Sequence, residues 1–405
     1  MNSAMNTERN FFSLHLPLAS APMFALLGAQ FVSALADNVL FILVLALIRE
    51  SGGNGMIPLV QEFFVFAFIL LAPFVGPFAD SQPKGRVMLL ANGIKLLGAA
   101  YILAGGNALV GYAIVGAGAA AYSPAKYGIL TQFFDPARLV KANGWLEGST
   151  IAAILLGVVL GGFLADHDMR LALWLAVGLY GLASLLNLFI PRLPPEKALQ
   201  HGRAWHFLQA FWRDVKTLFR LPDARFSLLG TGLFWACGAT LRLLLFAWVP
   251  AALLIDDTQT PANLMGVVSI GIVVGAALAG MLVKLSNVNR VLFGGVLLGP
   301  LILALAFQGG IVSTTLLLGA IGLAGGYFAI PLNALLQETG HETIGAGRAL
   351  AVQNFTENGF MLLMVGVYYA ISHYALDAQQ LVAVFGGFML LGMSWLALGR
   401  LRLAR

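Results

Sequence analysis

The chain has 405 residues, of which 59% are hydrophobic and 10% are charged, and its formal net charge is +5. Soluble domains carry about 25% charged residues, so this composition, with a mean hydropathy of +0.86, excludes a soluble globular protein. Apolar runs of about 20 residues recur along the chain, which predicts an all-α polytopic membrane protein. They exclude a β-barrel, whose strands alternate apolar and polar residues.

Twelve membrane-spanning helices are predicted, six on each side of a polar central segment. The first is too long for the apolar core of a signal peptide, which has about 7–15 residues. The predicted spans are 22–48, 57–79, 88–105, 109–132, 142–165, 170–190, 226–254, 263–284, 290–308, 312–336, 345–372 and 380–399. They divide the chain into an N-terminal six-helix bundle (1–190), a linker (191–225) and a C-terminal six-helix bundle (226–405).

Lysine and arginine residues are concentrated on one side of this topology. With a cytoplasmic N-terminus, most of the 23 fall in cytoplasmic segments, and only Arg49 and Arg170 fall in outer loops. The positive-inside rule therefore predicts that both termini are cytoplasmic. The net positive charge reflects topology and contact with the anionic inner leaflet, so it does not indicate a nucleic-acid partner.

The linker contains a stretch with the pattern of an amphipathic helix. Between Trp205 and Phe219, apolar residues recur at helical spacing, with Arg213 and Lys216 among the polar ones. This pattern predicts a helix lying on the cytoplasmic surface. We expect it to join the two bundles, and a regulatory or partner-docking role is the alternative.

The two halves share short sequence features. Pro124 of the fourth span corresponds to Pro331 of the tenth, and ANGWLEG (142–148) corresponds to VQNFTEN (352–358). Together with the six-plus-six layout, these matches favour two pseudo-symmetric repeats. In that architecture the substrate site lies near the membrane midplane, between the halves.

Several ionisable residues fall within the predicted spans, where a charge costs about 2.5–3.5 kcal/mol on insertion scales. Glu62 and Lys95 lie near span ends, so we expect them to reach the interface. The set is Asp37, Glu62, Lys95, Lys126, Glu147, Arg242 and Glu357.

Asp37 and Arg242 lie at similar depths in the first helices of the two halves. We therefore expect them to face each other across a central cavity and to form an ion pair in the empty protein, with Asn38 adding hydrogen-bonding capacity. A substrate would exchange partners with this pair. The alternative is a static ion pair that holds the bundle together.

Lys126 and Glu147 are a second predicted pair, because both lie about six positions from the cytoplasmic side of neighbouring spans. With Tyr127 beside Lys126, they are candidates for substrate binding. A purely structural pair within one bundle is the alternative.

The eleventh span carries a polar stripe. Gln353 and Glu357 share one helical face, and Asn354 lies beside Gln353. Such a stripe is predicted to line the cavity, with an interhelical hydrogen-bond cluster as the alternative.

The loop GPFADSQPKGR (76–86) is predicted to serve gating and packing. Gly76 allows close helix approach, Asp80 can cap or pair at a helix end, and Lys84, Gly85 and Arg86 follow on the cytoplasmic side. This loop resembles the signature of the major facilitator superfamily, with a wider Asp-to-Gly spacing and no arginine directly after the aspartate.

A more specific resemblance is to the bacterial lysophospholipid transporter family of that superfamily. The matching segments include ALADNVLF, APFVGPFADSQPKGRVM, GAGAAAYSPAKYGIL, VKANGWLEGSTIAAILLG, TLRLLLFAWVP and AVQNFTEN, in order, between about residues 30 and 365. The resemblance implies a monomeric flippase of the Gram-negative inner membrane. It would move lysophosphatidylethanolamine and related lysolipids to the cytoplasmic leaflet, where a cytoplasmic acyltransferase/acyl-carrier-protein synthetase reacylates them.

In that family the head group enters a charged cavity and the acyl chain reaches lipid through a lateral opening. A zwitterionic head group needs an anion and a cation, and Asp37 with Arg242 or Lys126 supplies both signs. Arginine can bind phosphate through two hydrogen bonds.

Two other function classes are the alternatives to a lysolipid transporter. A major facilitator carrier of a small polar solute or drug, coupled to H⁺ or Na⁺, would use Asp37 or Glu357 as its coupling site. An enzyme is not indicated, because none of the six histidines lies near a nucleophile or metal-ligand partner at a recognised spacing. The lone Cys237 is predicted to be a packing residue, and we expect no catalytic residue, cofactor or metal.

Overall fold

The computed structural model describes residues 16–50, 57–197, 204–255, 259–372 and 377–403. The side chains of Arg49 and Glu62 lie outside what it describes. The described helices are α1 (Ala21–Glu50), α2 (Ile57–Ser81), α3 (Lys84–Leu103), α4 (Ala108–Phe133), α5 (Pro136–His167), α6 (Met169–Asn187), α7 (Ala204–Arg220), α8 (Pro222–Leu253), α9 (Gln259–Leu282), α10 (Val291–Leu305), α11 (Ile311–Glu342), α12 (Ala346–Ser372) and α13 (Ala378–Leu403), with a 3₁₀ helix at Leu285–Arg290.

Twelve of these helices correspond to the predicted spans, and α7 lies in the predicted linker, which confirms the all-α polytopic fold with two six-helix bundles. Within the described residues, eleven helices are long and apolar enough to cross a membrane. The remaining one, α12, begins with the polar sequence around Gln353 and Glu357, which lowers its hydropathy.

Two helices extend six residues further than the apolar pattern predicts, the largest such differences among the described helices. Helix α5 begins at Pro136, six residues before the predicted span, because the Asp135 side chain accepts a hydrogen bond from the Arg138 N–H and caps the helix. Helix α11 continues to Glu342, beyond the predicted end at 336. Both extensions lie at the same end of the molecule, where His341 contacts Thr131.

Each half packs mainly on itself. In the N-terminal half, α1 packs on α5 and α6, and α3 packs on α4 and α6. In the C-terminal half, α8 packs on α12 and α13, and α9 on α11. Helices α9 and α11 cross closely at Gly275. A Cβ at this position would lie 2.1 Å from the Leu323 carbonyl oxygen, so only glycine fits there.

The halves meet at one end, which we call the linker face because α7 lies there. At this end, the buried apolar cluster around Phe133 and Leu139 of the N-terminal half continues through Ala276, Ala334 and Ala351 of the C-terminal half. Shared burial of this kind holds the halves together at the linker face.

Helix α7 contacts both halves at the linker face. It buries Phe211 and Leu218 in a cluster with Ala72 of α2 and Ala349 of α12, while Lys216 stays exposed. The apolar side of the amphipathic pattern therefore packs against both bundles.

Candidate functional site

A cavity of about 410 Å³ lies between the two halves. It is formed by α1–α5 of the N-terminal half and by α8, α11 and α12 of the C-terminal half. The residues predicted from the sequence to bind substrate all line it: Asp37, Asn38, Lys126, Tyr127, Glu147, Arg242, Gln353, Asn354 and Glu357. Their common location makes this cavity the candidate site.

Asp37 is held by residues of its own half. The Lys95 ammonium donates to the Asp37 carboxylate at 2.7 Å, and the Tyr180 hydroxyl donates to its other oxygen at 2.8 Å. Lys95 also donates to the Ser33 hydroxyl at 3.0 Å. The predicted Asp37–Arg242 ion pair is therefore wrong for this conformation, because the Asp37 carboxylate pairs with Lys95 of α3 in its own half and the ion pairs of the described residues do not include Arg242.

Lys95 does not extend to the membrane interface as its position suggested. Its side chain is only 2% exposed, and its ammonium lies 4.9 Å from the centre of the Tyr122 ring. A Cβ at Gly118 would lie 2.6 Å from the Lys95 Cγ, so this glycine makes room for the lysine stem. Ser33, four residues before Asp37, was a sequence signal for this polar cluster.

Arg242 enters the cavity from α8. The ion pairs of the described residues do not include Arg242, although it lines the same cavity as Asp37. Its guanidinium is exposed to the cavity, so it presents a positive charge there without a carboxylate bound to it.

Lys126 and Glu147 do not form the predicted ion pair either. The Tyr127 hydroxyl donates a hydrogen bond to the Glu147 carboxylate, and the Lys126 ammonium lies over the Tyr127 ring at 4.3 Å from its centre. The tyrosine thus lies between the two charges, accepting a cation–π contact and donating a hydrogen bond. Its role was not visible from charge spacing alone.

A polar network lines the cavity on the C-terminal half. The Gln353 amide donates to the Glu357 carboxylate at 2.8 Å, as the i, i+4 spacing predicts, and to the Asn333 carbonyl oxygen at 2.6 Å. Asn354 donates to Ser123 of the other half at 3.0 Å. This last bond connects the halves directly at the cavity.

The cavity is closed towards the linker face by contacts between the halves. Asn143 of α5 and Gln337 of α11 exchange two amide hydrogen bonds of 2.9 and 2.7 Å. Both side chains are fully buried, so these bonds form in an environment that excludes water.

Asp80 is the centre of a second contact between the halves. Its carboxylate accepts hydrogen bonds from the Gly347 and Arg348 N–H groups at 2.7 and 2.9 Å, at the start of α12. A carboxylate at a helix N-terminus is favoured by the helix dipole. A Cβ at Gly76 would lie 2.9 Å from the Ala351 Cβ, so glycine lets α2 approach α12 closely.

Lys84 and Glu196 complete this contact. Lys84 pairs with Asp80 at 3.0 Å and with Glu196 at 3.3 Å, and Glu196 accepts from the Ala346 N–H. Burial alone would raise the pKa of Glu196, but Lys84 and His341 outweigh it and lower that pKa to about 2. Its stabilisation of the contact is therefore present above the ordinary carboxyl pKa and is lost as the pH falls towards 2.

Two residues predicted to act in gating lie elsewhere. Gly85 packs beside Ile190, and the exposed Arg86 donates to Gln82 at 3.3 Å. They lie where the start of α3 faces the end of α6, whereas Asp80 contacts the start of α12. Instead, the Arg348 guanidinium forms two hydrogen bonds with Asp214 of α7, which extends the contact between the halves into the linker.

The fold and this central, charged cavity define a membrane transporter of two related bundles. Residues 26–364 match the model of the Major Facilitator Superfamily, so the chain belongs to that superfamily. Its backbone superposes on the E. coli fucose:proton symporter FucP with a TM-score of 0.72, at 16% identity over 93% of this chain and 98% of that chain. The human organic anion transporter MFSD10 gives a TM-score of 0.69, at 18% identity over 93% and 99%.

Sequence relatives define the family within that superfamily. The chain is 48% identical over 383 residues to the lysophospholipid transporter LplT of Enterobacter sp. (strain 638), covering 94% of this chain and 96% of the relative. It is 50% identical to the LplT of Yersinia enterocolitica, over 87% of each chain. The chain belongs to the bacterial lysophospholipid transporter (LplT) family.

Proposed function

We propose that this protein is a flippase that carries lysophosphatidylethanolamine and related lysolipids to the cytoplasmic leaflet of the inner membrane. The observation that carries the proposal is the balance of charge in the central cavity. Three basic and three acidic side chains line it: Lys95, Lys126, Arg242, Asp37, Glu147 and Glu357. A zwitterionic head group, with one phosphate and one ammonium, matches a cavity that offers both signs.

Arg242 is the proposed phosphate ligand. It lines the cavity without an ion pair to a described acid, and its guanidinium can bind two phosphate oxygens at once. Lys126, on the opposite half, supplies a second positive charge towards the phosphate. A phosphate bridging Arg242 and Lys126 would draw the two halves together.

Asp37 is the proposed ligand of the ammonium group. In the empty protein its carboxylate is hydrogen-bonded to Lys95 and Tyr180. The head-group ammonium would therefore share the carboxylate with the Lys95 ammonium or take its place. This exchange gives the substrate contacts that differ between conformations, which any ligand-driven switch requires.

The acyl chain is proposed to leave the cavity sideways. Pockets that enclose drug-sized ligands have volumes of about 300–1,000 Å³, and a cavity of about 410 Å³ has room for the head group but not for a long acyl chain as well. Phe41, Phe68 and Trp235 supply an apolar wall along which the chain would reach the bilayer.

Alternating access supplies the movement between leaflets. With the orientation predicted by the positive-inside rule, the closed linker face is cytoplasmic, so this conformation accepts substrate from the outer leaflet. Breaking the contacts of Asp80 and Asn143 would open the cavity to the cytoplasm. There the proposed monomer would release lysolipid to the acyltransferase/acyl-carrier-protein synthetase.

The proposal is tested with the purified protein in vesicles. We expect labelled lysophosphatidylethanolamine to cross the bilayer faster than in protein-free vesicles, and we expect Asp37→Ala and Arg242→Ala to reduce that rate while inserting normally. Soluble glycerophosphoethanolamine is the comparison, because a carrier of small polar solutes would move it in preference to the lysolipid. The proposal is contradicted if both variants transport lysolipid as fast as the original protein does. It is also contradicted if the protein transports only the soluble solute.

A further inference from the structure

A second cavity, of about 430 Å³, lies at the linker face between the start of α3 and the end of α6. The residues that line it include Gly85, Arg86, Leu89, Asn187, Ile190 and Arg192. Among its described lining residues, the two arginines are the only charged ones, and both are exposed. The cavity is therefore positively charged, unlike the charge-balanced cavity at the centre of the protein.

The N-terminus of α3 adds to this positive charge. Pro83 precedes the helix without a side-chain cap, and the first turn holds no acidic residue. In α3 the Arg86 N–H donates to the Pro83 carbonyl oxygen at 2.8 Å, which leaves the N–H groups of Lys84 and Gly85 at the positive end of the helix dipole. Such a terminus favours an anion such as phosphate.

Asn187 independently indicates a ligand at this position. It is the last residue of α6 and only 3% of its side chain is exposed. Neither its side-chain nitrogen nor its side-chain oxygen has a hydrogen-bond partner in the described protein. Buried amides are nearly always hydrogen-bonded, and a ligand in the cavity that Asn187 lines would supply the partner.

An apolar surface continues from the cavity into the membrane. Along α3, Leu90, Ile94 and Leu97 follow Arg86 on one helical face and are 45%, 38% and 65% exposed. Leu188 and Phe189, beside the cavity at the end of α6, are also exposed. A ligand with a phosphate at the arginines and acyl chains along this face would satisfy both parts of the surface.

We propose that this cavity binds the head group of an anionic phospholipid from the leaflet at the linker face. Arg86, Arg192 and the α3 N-terminus hold the phosphate, and Asn187 bonds a head-group oxygen. No carboxylate lines the described cavity to receive an ammonium, so an anionic lipid is favoured over a zwitterionic one. Basic pockets between membrane helices bind anionic head groups in this manner. The site is separate from the proposed transport cavity and does not depend on its substrate.

Binding is measured with the full chain in detergent, titrated with phosphatidylglycerol. We expect Arg86→Gln/Arg192→Gln to weaken binding about ten-fold or more, since each basic side chain near an anionic surface contributes to affinity. Lys284→Gln/Arg290→Gln is the matched control. It removes two exposed positive charges from the α9–α10 connection, the corresponding loop of the other half, and should bind as the original protein does.

The competitors decide the chemistry of the ligand. Phosphatidylcholine should bind at least several-fold more weakly than phosphatidylglycerol, and soluble glycerol phosphate should not displace the lipid. Equal loss of binding in the two double variants, equal binding of phosphatidylcholine, or displacement by glycerol phosphate overturns the proposal.

Asn187→Leu provides a second measurement that does not depend on charge. The substitution removes an amide that has no bond within the described protein, so the lipid-free variant should keep the melting temperature of the original or exceed it. The stabilisation by phosphatidylglycerol should be smaller than in the original protein. A full lipid-dependent shift in Asn187→Leu would show that the amide takes no part and would refute its assigned role.

Discussion

Lys95 is the residue on which the charge arrangement of the N-terminal half depends. Replacing it with methionine leaves the Asp37 carboxylate with Tyr180 and without a cation. Losing one member of a fully buried ion pair costs about 3–5 kcal/mol, and the cost is smaller here because the Asp37 side chain is 20% exposed. We therefore expect Lys95→Met to lower the melting temperature of the detergent-solubilised protein and to abolish lysolipid transport.

Removing both charges separates structure from function at this pair. Asp37→Asn/Lys95→Met has no unpaired charge, so it should recover most of the stability that Lys95→Met loses. Transport should stay low, because the proposed ammonium ligand is gone. Recovery of transport in the double variant would show that the pair only stabilises the fold.

Replacing Arg242 should affect transport without affecting stability, in contrast to Lys95→Met, which should affect both. Since it has no ion pair with a described acid, Arg242→Gln should leave the melting temperature almost unchanged, within about 0.5 kcal/mol of stability. Lysolipid transport should fall strongly, because the proposed phosphate ligand is lost. Normal transport by Arg242→Gln would contradict the proposed phosphate ligand. A loss of stability as large as that of Lys95→Met would contradict the absence of an ion pair between Arg242 and a described acid.

At the scale of helices, α3 and α4 are held close together by Gly118. A methyl group there would lie 2.6 Å from the Lys95 Cγ and 2.7 Å from the Ala91 carbonyl oxygen. Gly118→Ala should therefore separate the two helices and destabilise the protein by about 1–3 kcal/mol, as measured by thermal unfolding.

Gly93→Ala is the matched control in the same pair of helices. A methyl group at Gly93 has no atom within 4 Å, and alanine favours a helix over glycine by about 0.5–1 kcal/mol. We expect this variant to be as stable as the original protein or slightly more stable. If Gly118→Ala and Gly93→Ala changed the stability by the same amount, the close approach of α3 and α4 at Gly118 would not explain the destabilisation.

Helix α7 is expected to depend on Asp214 for its position. Asp214 pairs with Arg348, whose N–H is bound by Asp80, so the linker is connected to the contact between the halves. Asp214→Asn should loosen α7 and raise the protease sensitivity of the 191–225 linker, whereas Lys216→Gln, at an exposed position of the same helix, should not. Unchanged digestion of Asp214→Asn would contradict this connection.

The sequence predicted these helices much better than their contacts, for a physical reason. Hydropathy marks where a chain crosses the membrane, so the long helices and the cavity residues were predictable. Hydropathy does not show how each helix is rotated about its axis, and this rotation determines which side chains pair. In the structure Asp37 binds Lys95, and Tyr127 binds Glu147. The sequence therefore predicted where each polar side chain lies along its helix, but it did not predict which side chain of another helix it contacts.

The whole molecule is expected to work by opening and closing the linker face, and Asn143 with Gln337 offers a direct test. Their side chains exchange two hydrogen bonds between α5 and α11, so cysteines at both positions lie across the contact between the halves. Replacing both partners together leaves no unpaired amide, which limits the loss of stability. A short bifunctional methanethiosulfonate, which attaches to each cysteine through a disulfide bond, should join them in a background where the buried Cys237 is changed to alanine.

Crosslinking this pair should stop lysolipid transport, and a reductant that cleaves the link should restore it, because alternating access requires the halves to separate at this face. Asn143→Cys alone and Gln337→Cys alone, treated with the same reagent, should keep transporting. Undiminished transport by the crosslinked pair would mean that the linker face stays closed throughout the cycle. The head group would then have to cross without passing from the central cavity to that face.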